Sequence, residues 1–253
     1  MTLLNSMGLI STIALLIPII LLLVFRLAWY KSFPALLFYY IILASYNMIS
    51  QNYFISLGTS TIEYHKVINN LLEVPLVLLF FTYFSRTAEF RKKLLGSIIA
   101  FVVFEIVTVA ICGFSHKTTT IILAPGLLAI LILSTLFFIH QVKIAVIYLK
   151  AIGKAIMIAA FLFAYAGFSF VYIVNHVIET QYIMDVYLIY YLVTIITSIP
   201  MCVGIYFERK RVRHLSELQT TREELKKIYG EEDAQPNSPF GRVALNYDKE
   251  QWN

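Results

Sequence analysis

Residues 67–81 read VINNLLEVPLVLLFF, and this stretch indicates both the kind of fold and the place where a site could lie. Apart from two asparagines, Glu73 and Pro75, it is wholly apolar. Such a run is typical of a helix that crosses a membrane. A charge within it would cost about 3 kcal/mol or more if it faced lipid. We therefore predict that Glu73 faces the inside of a helix bundle, carries a proton, or both.

The same apolar character recurs along the whole chain. Of its 253 residues, 59% are hydrophobic and 14% are charged, and the mean hydropathy is +0.77. Soluble domains are roughly 45–50% apolar. Segments of about the 20 residues needed to span a bilayer occupy 5–25, 34–57, 66–85, 94–114, 119–140, 153–178 and 183–207. Because backbone in hydrocarbon must satisfy its own hydrogen bonds, and no alternating barrel pattern is present, we predict helices. The predicted fold class is all-α, a polytopic integral membrane protein with a seven-transmembrane-helix bundle.

Basic residues are distributed unequally between the two sets of connections. Those after the first, third, fifth and seventh segments carry thirteen lysines and arginines, whereas the others carry only Lys66 and Lys117. The positive-inside rule then places the N-terminus outside and the C-terminus in the cytoplasm, in a plasma or inner membrane. Anionic headgroups on the inner leaflet account for the net charge of +5, so membrane lipids are predicted partners and nucleic acid is not.

Three regions follow from these patterns. We predict a transmembrane domain over 1–208, a basic amphipathic juxtamembrane helix over 209–230 and a flexible cytoplasmic tail over 231–253. Either helix 7 continues out of the membrane, or Thr220 and Thr221 cap a new helix, which Gly230 ends. The tail is a candidate for contact with a cytoplasmic protein partner. The first segment lacks a basic leading region, so it is predicted to be a retained helix rather than a signal peptide.

Few chemical motifs are present. Cys112 and Cys202 both fall in apolar segments, which argues against a disulfide framework or a zinc spacing. Phosphate-binding, dinucleotide, HExxH and GxSxG motifs are missing. Only His65 and His176 could join Glu73 on one side of the membrane, fewer than the usual set of zinc ligands. We therefore predict no metal and no cofactor, and the sequence favours a protein that is not an enzyme.

Polar residues at helical spacing occur in the predicted outer halves of helices 2, 3, 6 and 7. A spacing of three or four places them on one face of each helix. We predict a polar pocket, open or nearly open to the outside, whose ligand-binding residues are Glu73, Asn69, Asn47, Gln51, Asn175, His176, Tyr187 and Tyr191. The alternative is that these groups only bond between helices and that the tyrosines form an aromatic belt. Helix 4 holds a second intramembrane carboxylate, Glu105, with Thr108 on the same face.

Seven helices with an external N-terminus resemble the topology of rhodopsins and G-protein-coupled receptors. In NNLLEVPLVLL, Pro75 and the following leucines resemble helix 3 of microbial rhodopsins, but Asn69 stands at the position of their aspartate. Residues 183–207 contain no lysine to which retinal could be attached. The Asp-Arg-Tyr and Asn-Pro pairs of the receptors are also missing, as are the ligands of zinc-dependent membrane hydrolases. The resemblance implies a seven-helix sensor that does not use retinal.

We therefore predict a sensor or receptor-like protein that binds a small or lipidic ligand in the outer pocket and signals through helix 7 and the tail. Three alternatives stay open. The first is a proton-coupled transporter that uses Glu73 and Glu105. The second is a membrane-embedded lipid-modifying enzyme in which Glu73 and His176 form an acid–base pair. The third is a scaffold subunit of a membrane complex.

Overall fold

The computed structural model describes residues 3–51, 59–85, 87–148, 151–176, 178 and 183–229. All regular structure in these residues is helical. The α-helices are α1 (Leu3–Val24), α2 (Phe33–Ser50), α3 (Thr59–Phe81), α4 (Ala88–Cys112), α5 (His116–Tyr148), α6 (Ile152–His176) and α7 (Ile183–Tyr229). Seven of the described helices are long and apolar enough to cross a membrane. The predictions of an all-α class and of seven helices long and apolar enough to cross a membrane are confirmed.

Local sequence explains where several helices begin and end. Pro34 occupies the first turn of α2, where its missing N–H costs nothing. The Thr87 hydroxyl caps α4 by accepting a hydrogen bond from the backbone N–H of Phe90 at 3.2 Å. Gly113 ends α4 with a positive φ of 68°, a backbone conformation that glycine adopts without strain.

Helix α7 is much longer than the segment predicted for it. It continues from the apolar region to Tyr229 without a break, so the first of the two predicted alternatives describes this helix. The hydroxyls of Thr220 and Thr221 donate to carbonyls four residues earlier, as in a helix interior, and do not cap a new helix. Neither glycine nor proline interrupts residues 205–229, so nothing in the local sequence stops the helix. Gly230 and the predicted flexible tail lie outside the described residues.

Six helices form a closed ring. In order of contact the ring runs α1, α2, α3, α5, α6, α7 and back to α1, and α4 packs outside it against α3 and α5. Helix α4 turns large apolar side chains outward, with Ile99, Ile106 and Ile111 each more than half exposed. A surface of this kind suits a lipid environment better than water. We call the end of the bundle from which α7 projects the tail end.

Helices α6 and α7 make the most extensive contact in the bundle, and glycines allow it. A Cβ atom on Gly153 would lie 2.8 Å from the backbone nitrogen of Glu208 and 2.9 Å from the carbonyl oxygen of Gly204. Both neighbours are backbone atoms that cannot rotate away. Small residues of this kind permit close approach of helices in membranes. The close approach brings the start of α6 directly against Glu208.

Aromatic side chains fill the tail half of the ring. The ring centroid of Phe33, on α2, lies 5.0 Å from that of Tyr83, which follows α3 in the chain. It lies 5.5 Å from the ring centroid of Phe80. Phe161 of α6 lies 5.7 Å from Phe80 and 5.5 Å from Phe81. These edge-on and tilted contacts between buried rings stabilise the packing of α2, α3 and α6 against one another. They leave little freedom for the residues that follow α3.

Candidate functional site

Glu73 lies near the middle of the apolar span of α3, which runs from Tyr64 to Phe84. The hydroxyl of Tyr165, on α6, donates a hydrogen bond to Glu73 Oε1 at 2.8 Å. Tyr165 is fully buried, whereas Glu73 is partly buried. Among the described residues, no basic side chain forms an ion pair with Glu73. A charge on Glu73 therefore has phenol groups rather than a cation to stabilise it.

Two more tyrosines lie around this hydrogen bond. Tyr39 of α2 lies beside Tyr165, and Tyr190 of α7 is close enough to Glu73 to interact electrostatically. Tyr39, Asn69 and Glu73 also line one crevice between α2 and α3. We call Tyr39, Glu73, Tyr165 and Tyr190 the Glu73 cluster. It joins four helices of the ring through one carboxyl group and three phenols.

The space around the Glu73 cluster is small. A void between α1, α2, α6 and α7, bordered by Tyr39, Phe168 and Ser198 among others, measures about 10 Å³. That is room for about one water molecule, whereas ligand sites commonly enclose roughly 300–1,000 Å³. A ligand of several heavy atoms would therefore have to move helices apart. Residues 52–58 and 179–182, which follow α2 and α6 in the chain, lie outside the described residues.

The structure brings together only some of the residues predicted for the site. Asn69 and Glu73 share the crevice described above. The buried Asn47 instead turns toward α1, where its Nδ2 donates to Ser11 Oγ at 3.3 Å. Gln51 also lies against α1, since a Cβ atom on Gly8 would collide with its carboxamide. These two amides connect α1 and α2, a packing role that their spacing did not distinguish from pocket lining.

The predicted residues on α6 and α7 are spread over the end opposite the tail. Tyr191 is buried, and its ring lies 5.6 Å from that of Tyr190. Tyr187 is 44% exposed, and both Tyr187 and Tyr191 lie near Tyr46 of α2. Asn175 is partly buried near the end of α6. The side chain of His176 lies outside the described residues, so its pairing with Glu73 stays a prediction.

Glu105 lies apart from these groups on the peripheral helix α4. It is 4% exposed, and its Oε1 has no hydrogen-bond partner among the described residues. Thr108, one turn away, donates to the carbonyl of Phe104 in its own helix. No group of three or more histidine, cysteine, aspartate or glutamate side chains in the described part of the chain could hold a metal ion.

A second polar cluster, at the tail end, was not predicted. The carboxylate of Glu208 on α7 is fully buried, and its Oε1 accepts hydrogen bonds from the Tyr83 hydroxyl and from Arg211. Arg211 Nη2 also donates to the Tyr83 oxygen at 2.8 Å. The ammonium group of Lys154 lies 4.4 Å from the centroid of the Tyr83 ring. We call Tyr83, Lys154, Glu208 and Arg211 the Glu208 cluster.

The sequence contains one signal for this cluster. Glu208 is the only acidic residue between Asp185 and Glu217, and it comes where an apolar run meets the basic residues Arg209, Lys210 and Arg211. A carboxylate at such a boundary suggests a buried ion pair. Tyr165 gives no comparable signal, since it lies among apolar and small residues in FLFAYAGF.

No protein-family model, curated protein or solved structure matches this chain. The resemblance to rhodopsins and receptors therefore stays a prediction, drawn from topology and from a few residues of helix 3.

Proposed function

We propose that this chain is a sensor in a plasma or inner membrane, with its N-terminus outside and the tail end in the cytoplasm. Seven long apolar helices support insertion. The excess of lysine and arginine at the tail end supports this orientation. The connection between α1 and α2 at that end includes Arg26 and Lys31, the start of α6 carries Lys154, and α7 carries Arg209 and Arg211.

The Glu73 cluster is the proposed place of ligand binding. Its groups come from four helices, so a molecule that bonds to Glu73 or its phenol partners would contact several helices at once. A carboxyl group and hydroxyl groups suit a small polar molecule or the polar part of a lipid. Because the space is closed, binding would favour a more open arrangement of α2, α6 and α7.

The main support for the proposal is the course of helix α7, which contributes residues to both clusters and then leaves the bundle. Its bundle-facing side includes a series of residues spaced alternately by three and four, namely Tyr190, Thr194, Thr197, Met201, Gly204, Glu208 and Arg211. The same spacing continues through Leu215, Leu218, Arg222 and Leu225 in the tail. A shift of α7 at Tyr190 would therefore move a continuous helical face in the cytoplasm.

A cytoplasmic protein that presents an amphipathic helix is the proposed partner of this face. Leu218 and Leu225 are 42% and 47% exposed, and charged residues flank them. Spacing of this kind suits helix-to-helix packing. It is also continuous with the face that α7 already packs into the bundle.

A transporter is the second candidate, favoured by one observation. Glu105 is buried with an unpartnered oxygen among the described residues, and intramembrane carboxylates often carry protons. However, it lies on α4 outside the ring, whereas Glu73 meets α2, α6 and α7. Flux in proteoliposomes that depends on both glutamates would favour transport over sensing.

The test is retention of a ligand by purified protein. Wild type, Glu73→Gln and the matched control Glu105→Gln are purified in mild detergent, and retained small molecules and lipids are identified by mass spectrometry. We expect a molecule bound by wild type and Glu105→Gln but lost from folded Glu73→Gln. Retention of nothing beyond bulk lipid, or equal retention by all three, would contradict binding at Glu73.

A further inference from the structure

Basic residues from four parts of the chain converge at the tail end, three of them around the carboxylate of Glu208. Lys31 belongs to the connection between α1 and α2, Arg91 to the start of α4, Lys154 to the start of α6 and Arg211 to α7. Lys31 interacts electrostatically with Arg211, Glu208 and Arg91, and Lys154 with Arg211, Glu208 and Lys31. Lys31, Lys154 and Arg211 thus lie near one buried carboxylate, and Arg91 lies near Lys31.

Glu208 does not neutralise the two lysines directly. Its Oε1 is occupied by Tyr83 and Arg211. Among the described residues, neither Lys31 nor Lys154 forms an ion pair with a carboxylate. Lys154 instead lies over the face of the Tyr83 ring, and the ammonium of Lys31 lies 5.7 Å from the centroid of Tyr30. Aromatic faces hold these cations in place but leave their charge uncompensated.

The surroundings of Lys31 disfavour the charged form of its side chain. Burial, and then the like charge of Arg211, lower the pKa of Lys31 from its ordinary value, and Glu208 offsets only part of this. An anion placed between the cations would remove their mutual repulsion. Ammonium and guanidinium groups are the donors that proteins use for phosphate.

We propose that Lys31, Lys154 and Arg211 form a binding site for a phosphate group at the tail end of the bundle. The phosphate would come from the headgroup of an anionic phospholipid or from a free phosphate in solution. The position at the boundary between apolar helix surface and charged connections suits a lipid headgroup. Such an anion would tie the α1–α2 connection and α6 to α7, beside Glu208 and separate from the Glu73 cluster.

The experiment measures binding to the full chain in a neutral detergent. Thermal unfolding is followed during titration with phosphatidylglycerol, with the zwitterionic phosphatidylcholine, and with inorganic phosphate. The variants are Lys154→Gln and Lys31→Gln, and the control is Lys210→Gln, which removes the same charge from an exposed position on α7. Because each variant is compared with its own unliganded state, a change in basal stability does not obscure the result.

We expect phosphatidylglycerol, and not phosphatidylcholine, to raise the melting temperature of the wild type. Lys154→Gln and Lys31→Gln should each weaken this binding about tenfold or more, as expected for loss of a charge-assisted hydrogen bond. Lys210→Gln should weaken it about fivefold or less, the effect of one general surface charge.

If inorganic phosphate alone raises the melting temperature, and this increase is lost in Lys154→Gln and Lys31→Gln, free phosphate is the ligand. That result would still support the site. Equal weakening by all three substitutions would show general charge attraction and overturn the proposal. Absence of any stabilisation by either phosphate source would overturn it as well.

Discussion

The buried carboxylate of Glu208 on α7 accepts a hydrogen bond from the hydroxyl of Tyr83, which lies 125 residues earlier in the chain. Arg211 bonds to both groups, and Lys154 from α6 covers the Tyr83 ring. These contacts hold α7 to the end of α3 at the level where α7 leaves the bundle. The Glu208 cluster therefore fixes the position from which the tail leaves the bundle.

Removal of the Glu208 carboxylate should destabilise the fold strongly. Glu208→Ala leaves Arg211 and Tyr83 without their shared acceptor, and breaking a buried pair costs about 3–5 kcal/mol. The control is Glu217→Ala, which removes a largely exposed pair with Arg213 and should cost about 0.5 kcal/mol or less. Denaturant unfolding in mild detergent measures both. Similar losses for the two variants would show that the Glu208 cluster does not stabilise the bundle.

The hydrogen bond between Tyr165 and Glu73 should appear as a coupling between the two residues. We expect Tyr165→Phe and Glu73→Gln together to differ from the sum of the single changes by about 1 kcal/mol or more in unfolding free energy. A double-mutant cycle measures this difference. As a control, a second cycle combines Glu73→Gln with Tyr206→Phe. Tyr206 is exposed, so this pair should show no coupling. Strict additivity in the first cycle would rule out the bond.

The close approach of α6 and α7 should not tolerate a methyl group at Gly153. Its Cβ would meet backbone atoms of α7 at less than 3 Å, so Gly153→Ala should destabilise the fold by about 1–3 kcal/mol. Gly96→Ala is the matched control, because nothing lies within 4 Å of that Cβ and alanine favours a helix. We expect Gly96→Ala to be neutral or stabilising in the same unfolding assay. Neutral behaviour of Gly153→Ala would contradict the packing.

The stability contributed by Lys31 should depend on pH. Its pKa in the folded chain lies below the ordinary value of 10.5, so the unfolded chain binds this proton more tightly. Stability therefore rises with pH between the folded-state pKa and 10.5, and below that interval the charged lysine costs stability.

Lys31→Gln should accordingly melt at a higher temperature than the wild type at neutral pH, without anionic lipid. The difference in melting temperature between the two proteins should decrease as the pH approaches 10.5. Comparing the two proteins at each pH cancels the titration of other groups. A difference in melting temperature that increases with pH would contradict the lowered pKa of Lys31. A Lys31→Gln protein that is less stable than the wild type at neutral pH would contradict it as well.

The proposed orientation can be tested by labelling. In a chain with Cys112 and Cys202 replaced by alanine, a single cysteine is placed at Phe114, which is exposed between α4 and α5, or at Glu217, which is exposed on the tail. A membrane-impermeant maleimide should label the Phe114→Cys protein in intact cells. It should label the Glu217→Cys protein only after permeabilisation. The reverse pattern would invert the topology.

The amino-acid sequence alone was sufficient to predict the helices of this fold. Runs of about 20 apolar residues form helices because backbone in hydrocarbon has no other hydrogen-bond partners, and seven of the described helices are long and apolar enough to cross a membrane. Helix boundaries were less predictable. Helix α7 continues to Tyr229 since helix formation in a charged stretch depends on the residues themselves and not on the end of the apolar run.

Which of these helices pack against each other could not be read from the sequence and became known from the folded structure. Hydropathy is a local property, so it did not place α4 outside the ring or turn Asn47 toward Ser11 rather than toward Glu73. Tyr165 could not be assigned to Glu73, nor Tyr83 to Glu208, because each pair is separated by about a hundred residues. Polar groups inside an apolar bundle find their partners through the packing of whole helices, and that packing depends on small residues such as Gly153 and on the fit of distant side chains.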